Sequence, residues 1–312
     1  FQGNINRFLD DVRVDLISGV FGEYNYKVGE NFIVNTGFRT DYYNIEDNFY
    51  HTPRLNVKYN PSDQTVVRFS AGKGFRVPNV LVDNLFHLAS SRDVIVSENI
   101  KPEIGLNYGV NFSYCFYLFS NEGTLNIDLY RTVFDHQIVV DLEDQSKLAF
   151  YNLDGDAYAN SIQFDLMYSP FTRFHIKTAY KIDKSYSTYD GELKSTPLRP
   201  NSRALLNVSY ATKLDYWKFD FTANYIGKSR IPNHSEITMA NNMSDPFAVC
   251  NTQVTRKIGS FDLYLGVENI FSSVQENPII AAENPFSEEF DASLIYAPVM
   301  GRLIYAGLRY RF

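Results

Sequence analysis

The side chains with the widest chemical repertoire in this chain are few and dispersed. Its five histidines, His51, His87, His136, His175 and His234, fall into no metal-binding or nucleophile pattern. Gly72-Lys73-Gly74 lacks the Gly-x4-Gly-Lys-Ser/Thr spacing that wraps a phosphate. Cys115 and Cys250 fall on separate predicted strands, and the sequence leaves open whether they are two packing thiols or one bridge. The loop from Ile231 to Met243 brings His234, Met239 and Met243 together. Imidazole with thioether is a soft ligand set suited to copper, although ordinary loop composition is the favoured explanation of the trio. No catalytic constellation and no cofactor motif emerges, so neither an enzyme nor a bound cofactor is expected.

The remaining chemistry lies in charges placed on alternating segments. Arg39, Asp41, Arg68, Asp128, Asp165 and Glu268 each sit on the polar side of a stretch whose other side is apolar. On Thr124 to Asp135, for example, Leu125, Ile127 and Leu129 share one face and Asn126, Asp128 and Tyr130 the other, the period-two signature of a strand. Such charges line either a solvated wall or a path for solutes. The loops 77 to 100 and 271 to 296 add Phe86, His87, Ile279, Ile280, Phe286 and Phe290, placed to touch a ligand or to pack on neighbouring loops.

The elements that position these residues are strands throughout. The 312 residues are 45% hydrophobic and 16% aromatic with 23 Tyr and 25 Phe, a β-rich composition far from disorder. A net charge of -7 without any Lys/Arg run excludes a nucleic-acid footprint. Thirteen alternating segments are centred in 12 to 26, 31 to 43, 52 to 60, 65 to 76, 103 to 118, 124 to 140, 150 to 168, 173 to 186, 198 to 210, 216 to 230, 247 to 257, 261 to 270 and 301 to 312. No helix pattern stands beside them. Short turns such as Val28-Gly29-Glu30 and Pro61-Ser62-Asp63 interleave with long loops such as 77 to 100, 231 to 246 and 271 to 300.

That asymmetry, with strands long enough to cross a bilayer at a tilt, is the pattern of a transmembrane barrel rather than of a soluble sandwich. Tyr42-Tyr43, Tyr168, Tyr210 and Tyr216-Trp217 at strand ends suit interfacial girdles. In the final segment Ile304, Ala306, Leu308, Tyr310 and Phe312 share one face, while Arg309 and Arg311 lie on the other. If Phe312 is periplasmic, counting back sends the first strand downward too. An odd number of strands cannot close a bacterial barrel, so the beginning of the barrel is expected to be missing.

Five stretches carry a resemblance to TonB-dependent receptors, the plugged 22-stranded transporters of the outer membrane. Pro53 to Tyr59 with Val67 to Asn79 resembles the family's central barrel signature, and Leu88-Ala89-Ser90-Ser91-Arg92 resembles receptors of the Bacteroidetes type. Lys101-Pro102-Glu103 resembles a re-entry into the next strand with Glu103 near the outer rim. Gly266 to Phe271 and Gly301 to Phe312 resemble the last two strands, with Tyr310 and Phe312 as the assembly signal. The resemblance implies that residues 1–312 are the carboxyl-terminal part of an antiparallel barrel, about 13 of 22 strands, with the plug and first strands absent. It further implies uptake of an iron chelate, cobalamin or other metal complex at a Gram-negative outer membrane. The implied partners are TonB acting through the missing plug, membrane lipid, the barrel assembly machinery and the substrate, with no nucleic acid. Competing classes are a passive porin-like or fatty-acid channel and a soluble β-sheet binding module.

Overall fold

The computed structural model describes residues 14–232 and 242–311. In chain order the strands are β1 (Ile17–Val28), β2 (Phe32–Tyr43), β3 (Asn48–Ser62), β4 (Thr65–Arg76), β5 (Asp93–Val96), β6 (Glu103–Leu118), β7 (Asn121–His136), β8 (Ile138–Asp141) and β9 (Lys147–Asn152). They continue as β10 (Ala157–Phe171), β11 (Phe174–Tyr189), β12 (Glu192–Ser195), β13 (Ser202–Ala211), β14 (Trp217–Ile226), β15 (Phe247–Ile258), β16 (Phe261–Glu268) and β17 (Leu303–Tyr310). Thirteen of them form one antiparallel meander in the order β1-β2-β3-β4-β6-β7-β10-β11-β13-β14-β15-β16-β17, with β12 added to β11. Each strand pairs with the next wall strand in sequence, as the alternating short turns and long loops require. Among the described residues β1 and β17 pair with no further strand, so the barrel wall is open.

Register sorts the side chains into two faces. Val110, Leu129, Ile162 and Ile182 stand in one row across β6, β7, β10 and β11, and the adjacent row is Asn111, Asp128, Gln163 and Lys181. Phe38, Val110, Leu129, Leu265 and Ile304 of the apolar face remain exposed, so no second sheet covers them. An apolar surface this extensive requires a non-aqueous neighbour. At the short-turn end it carries an aromatic cluster of Phe171, Phe174, Tyr210, Phe219 and Trp217, with Phe171 and Phe174 stacked at 4.7 Å. Tyr42 packs at a tilt against Phe49, 5.2 Å between ring centres, on the same face at the other end. Tyr43 departs from the girdle expectation: it lies on the polar face, buried, and its hydroxyl donates to Asp15 Oδ1 at 2.5 Å.

Two glycines of the closing strands have a specific role. On the polar face Gly266 pairs with Tyr305 and Gly307 with Tyr264. Each tyrosine ring crosses the neighbouring glycine, and a Cβ there would lie 2.3 Å and 2.2 Å from the ring. The aromatic covers the backbone that the missing side chain leaves bare.

The largest departure from the sequence reading lies at the long-loop end. The segment expected to run through 124 to 140 ends at His136, and the one expected over 150 to 168 breaks at 153 to 156, where Gly155 adopts a φ of 128°. The residues split off become β8 and β9. With β5 from another loop they form a separate three-stranded sheet in the order β5-β9-β8. Ile138, Leu142, Leu148 and Phe150 are its buried centre, flanked by Val80, Leu81, Leu88, Val94, Val96 and Ile100. Runs such as Ile138-Val139-Val140 are apolar on both faces, and alternation cannot say which sheet they join. A helical turn at Val80–Asp83, with Asn79 Oδ1 accepting from the Val82 amide at 3.2 Å, and a 3-10 turn at Leu85–Leu88 also occur where no helix was expected.

Candidate functional site

Two guanidinium groups, one buried and one partly buried, tie the long loops into a cap. Arg92 and Asp291, 199 residues apart, form an ion pair at 2.9 Å with side chains only 2% and 3% exposed. Arg92 Nη1 also donates to the carbonyls of Leu142, Asp144 and Lys147 at 3.2, 2.7 and 3.3 Å. Asp291 Oδ1 in turn accepts from the Ser293 amide and hydroxyl at 2.7 and 2.6 Å. One guanidinium thereby joins the loop after β4, the loop after β7 and the loop after β16. Charges this deeply buried persist only when paired and hydrogen-bonded. The second clamp is Arg230, whose Nη1 lies 2.6 Å from Glu143 Oε1, whose Nε donates to the Ser195 carbonyl at 2.5 Å, and whose plane covers the Tyr189 ring at 5.3 Å. It draws in the loops after β11 and β14.

Titratable groups in the cap register this burial. Burial lowers the His87 imidazole below its ordinary value, with Asp291 pulling it up and Arg92 pushing it down, and its Nδ1 is buried without a partner. Burial, then the hydrogen bond to Asp141, pushes the Tyr151 hydroxyl up. His87 also lines a cavity of about 260 Å³ with Phe86, Val140, Leu142, Tyr189 and Leu198. Of the loop residues singled out by sequence, Ile280 packs inside the cap and Phe286 is 99% exposed.

Below the cap lies the polar face with the six charged residues singled out above. All six belong to that face by register. Arg39 Nε donates to both oxygens of Asp41 at 2.9 and 2.7 Å, and Asp41 is buried. Arg68 Nη1 donates to Asn111 Oδ1 at 2.8 Å, and Asn111 Nδ2 donates to Asp128 Oδ1 at 2.9 Å, one relay across β4, β6 and β7. Asp165 accepts from Gln163 at 2.8 Å. Glu268 closes β16 opposite Leu303, apart from the others. Nearer the rim a groove of about 640 Å³ is lined by Arg54, Asn56, Gly72, Arg76, Glu103 and Asn107. There Glu103 accepts from Arg76 Nε at 2.8 Å and from the Ile138 amide at 2.9 Å, fastening wall to cap as its expected rim position requires.

His234, Met239 and Phe312 lie outside the described residues. Met243 forms an isolated bridge with Arg230. Among the described residues no cluster of three His, Cys, Asp or Glu side chains is placed to hold a metal. Cys115 and Cys250 are free, on β6 and β15 with five strands between them, so no bridge joins them. Sequence reasoning missed Asp291, Arg230 and Glu143. Of the loop-tying residues it marked only Arg92, as the last residue of the Leu88 to Arg92 resemblance.

An open wall of long antiparallel strands, apolar on one side and polar on the other, with its loops folded into a cap at one end, defines an outer-membrane barrel of the receptor class. A family model for "TonB dependent receptor-like, beta-barrel" matches residues 3–270, and the chain belongs to that family. This is a family of receptors and transporters in the outer membrane of Gram-negative bacteria. Solved structures similar to the chain include a mutant of the ferric enterobactin receptor PfeA from Pseudomonas aeruginosa, with 15% identity and a TM-score of 0.63 over 94% of this chain and 44% of that one. The FrpB iron transporter from Neisseria meningitidis has 13% identity and a TM-score of 0.66 over 95% and 46%. The siderophore receptor PirA from Acinetobacter baumannii has 16% identity and a TM-score of 0.64 over 95% and 46%. The chain thus spans under half the length of these structures. No curated protein matches it in sequence.

Proposed function

We propose that the chain forms the wall and outer mouth of a receptor that takes up a scarce nutrient, an iron chelate or another metal complex, with energy delivered through TonB. The observation that carries this reading is the cap of interlocked loops set over a continuous polar face, a built mouth above a hydrophilic bore. Family membership supports it, and so do the structural neighbours named for ferric enterobactin, iron and siderophores. In this reading the apolar face meets lipid, and Arg39, Asp41, Arg68, Asp128, Asp165 and Glu268 line the lumen, where charges avoid the cost of facing hydrocarbon. The chain supplies the carboxyl-terminal strands of the barrel, while a plug and the first strands come from the rest of the receptor. Tyr310 and Phe312 engage the assembly machinery, and the wall performs no catalysis of its own.

The test is growth of a strain lacking the full receptor gene, and of its complemented counterpart, on single iron, copper or cobalamin sources. Growth restored by the receptor only when TonB is present supports the proposal. Restoration without TonB points to a passive channel instead, and restoration on no source overturns uptake.

A further inference from the structure

Near the cap the apolar face carries a polar row. Tyr108, Arg131, Asn160 and Lys184 face one another in register across β6, β7, β10 and β11. The rows beneath it are apolar: Val110, Leu129, Ile162 and Ile182, then Phe112, Ile127, Phe164 and Tyr180. Arg131 stacks over the Tyr158 ring at 4.7 Å and donates to Asn160 at 3.3 Å, and Tyr158 packs on Tyr186 at 5.4 Å in the row above. Lys184 is exposed. Among the described residues no carboxylate pairs with either cation, whereas Lys73, one row up, has Asp135 at 3.7 Å. With β10 between their strands, Arg131 and Lys184 stand about 10 Å apart, twice the usual strand spacing.

Their height is set by the wall. Tyr108 lies eight residues along β6 from Phe116, which packs with Tyr168 near the short-turn end. That is about 27 Å of strand, or roughly 20 Å of height at a 45° tilt, close to the upper edge of an apolar band about 25 Å tall. Long cationic side chains at that edge reach into the headgroup layer. Two unpaired cations with an amide between them, flanked by tyrosines, complement anionic oxygens, and the long-loop end faces the outer leaflet.

We infer that Arg131, Asn160 and Lys184 form a docking surface for the phosphates of an outer-leaflet lipid headgroup, in a Gram-negative outer membrane a bisphosphorylated glycolipid. This rests on the membrane reading of the wall but is independent of what the receptor transports. The experiment is native mass spectrometry of the full receptor titrated in detergent with bisphosphorylated lipid A, with lipid A stripped of both phosphates, and with inorganic phosphate. Heat-modifiable gel mobility verifies that each variant is folded. The double variant Arg131→Gln/Lys184→Gln is expected to weaken binding of the bisphosphorylated lipid roughly thirtyfold, the factor for two surface cations. Arg131→Lys should retain most of it. The stripped lipid should bind wild type and variant alike. Equal binding of the phosphorylated lipid to wild type and double variant overturns the site, and displacement of that lipid by equimolar inorganic phosphate overturns its assignment to a lipid.

Discussion

Removing Asp291 is the sharpest perturbation of the cap. In Asp291→Ala, Arg92, 2% exposed in the native cap, keeps its three carbonyl acceptors but loses the only carboxylate paired with it among the described residues. Breaking a buried pair by deleting one partner costs about 3–5 kcal/mol, because the surviving charge is left uncompensated. The penalty falls on local opening of the cap, since the pair joins loops and not wall strands. Amides protected only by the docked cap should therefore exchange faster by roughly two to three and a half orders of magnitude, at about 1.4 kcal/mol per tenfold. The Ser91 amide, which donates to the Phe290 carbonyl, and the Ala292 amide, which donates to the Ala89 carbonyl, report this directly. The assay is hydrogen exchange with mass spectrometry on the full receptor, with β6 and β7 peptides as unchanged internal standards. A volume-conserving double variant, Arg92→Met/Asp291→Leu, removes the uncompensated charge and should recover part of the protection, the rest being lost because the Ser293 amide and hydroxyl and three carbonyls forfeit these partners. The reasoning fails if Asp291→Ala exchanges like wild type, or if the double variant is as labile as the single one.

Three further outcomes are expected. Ile127→Arg places a charge on the apolar face near mid-strand and should lower folded receptor in the membrane by about 2–4 kcal/mol of stability, whereas Asp128→Asn on the polar face should leave urea unfolding within about 1 kcal/mol of wild type; equal effects refute the face assignment. Because burial lowers the His87 imidazole from its ordinary 6.5, the docked loops bind fewer protons than the open ones, so protection of residues 84–92 should be full above pH 6.5 and fall progressively below it. His87→Phe should flatten that profile in hydrogen exchange corrected for intrinsic rates, and an unchanged profile rejects the assignment. Deleting Phe312 should reduce surface display of the parent receptor in flow cytometry, and undiminished display argues against an assembly role for the last residue.

What could be read from the sequence divides along a physical line. The wall was legible because each of its strands is bounded by solvent chemistry on one side and apolar contact on the other, so alternation reports both the strand and its face. All thirteen wall strands follow from period two, although the segments 124 to 140 and 150 to 168 run on into the cap. The cap was not legible, because its pieces are short, buried on both faces and joined across the chain. Ile138 to Val140 reads as the continuation of β7, since an apolar run carries no mark of the sheet it enters. The Arg92 and Asp291 contact spans 199 residues and leaves no local period. Of that pair the sequence reading named only Arg92, as the last residue of the Leu88 to Arg92 resemblance. The wall should therefore take many substitutions within a row, whereas the cap depends on two charge pairs, one fully buried and one partly buried, whose loss should open several loops together. Changes of loop conformation should therefore run through Arg92, Asp291, Arg230 and Glu143, and ligand-induced exchange differences should concentrate around these four side chains rather than along β6 or β7.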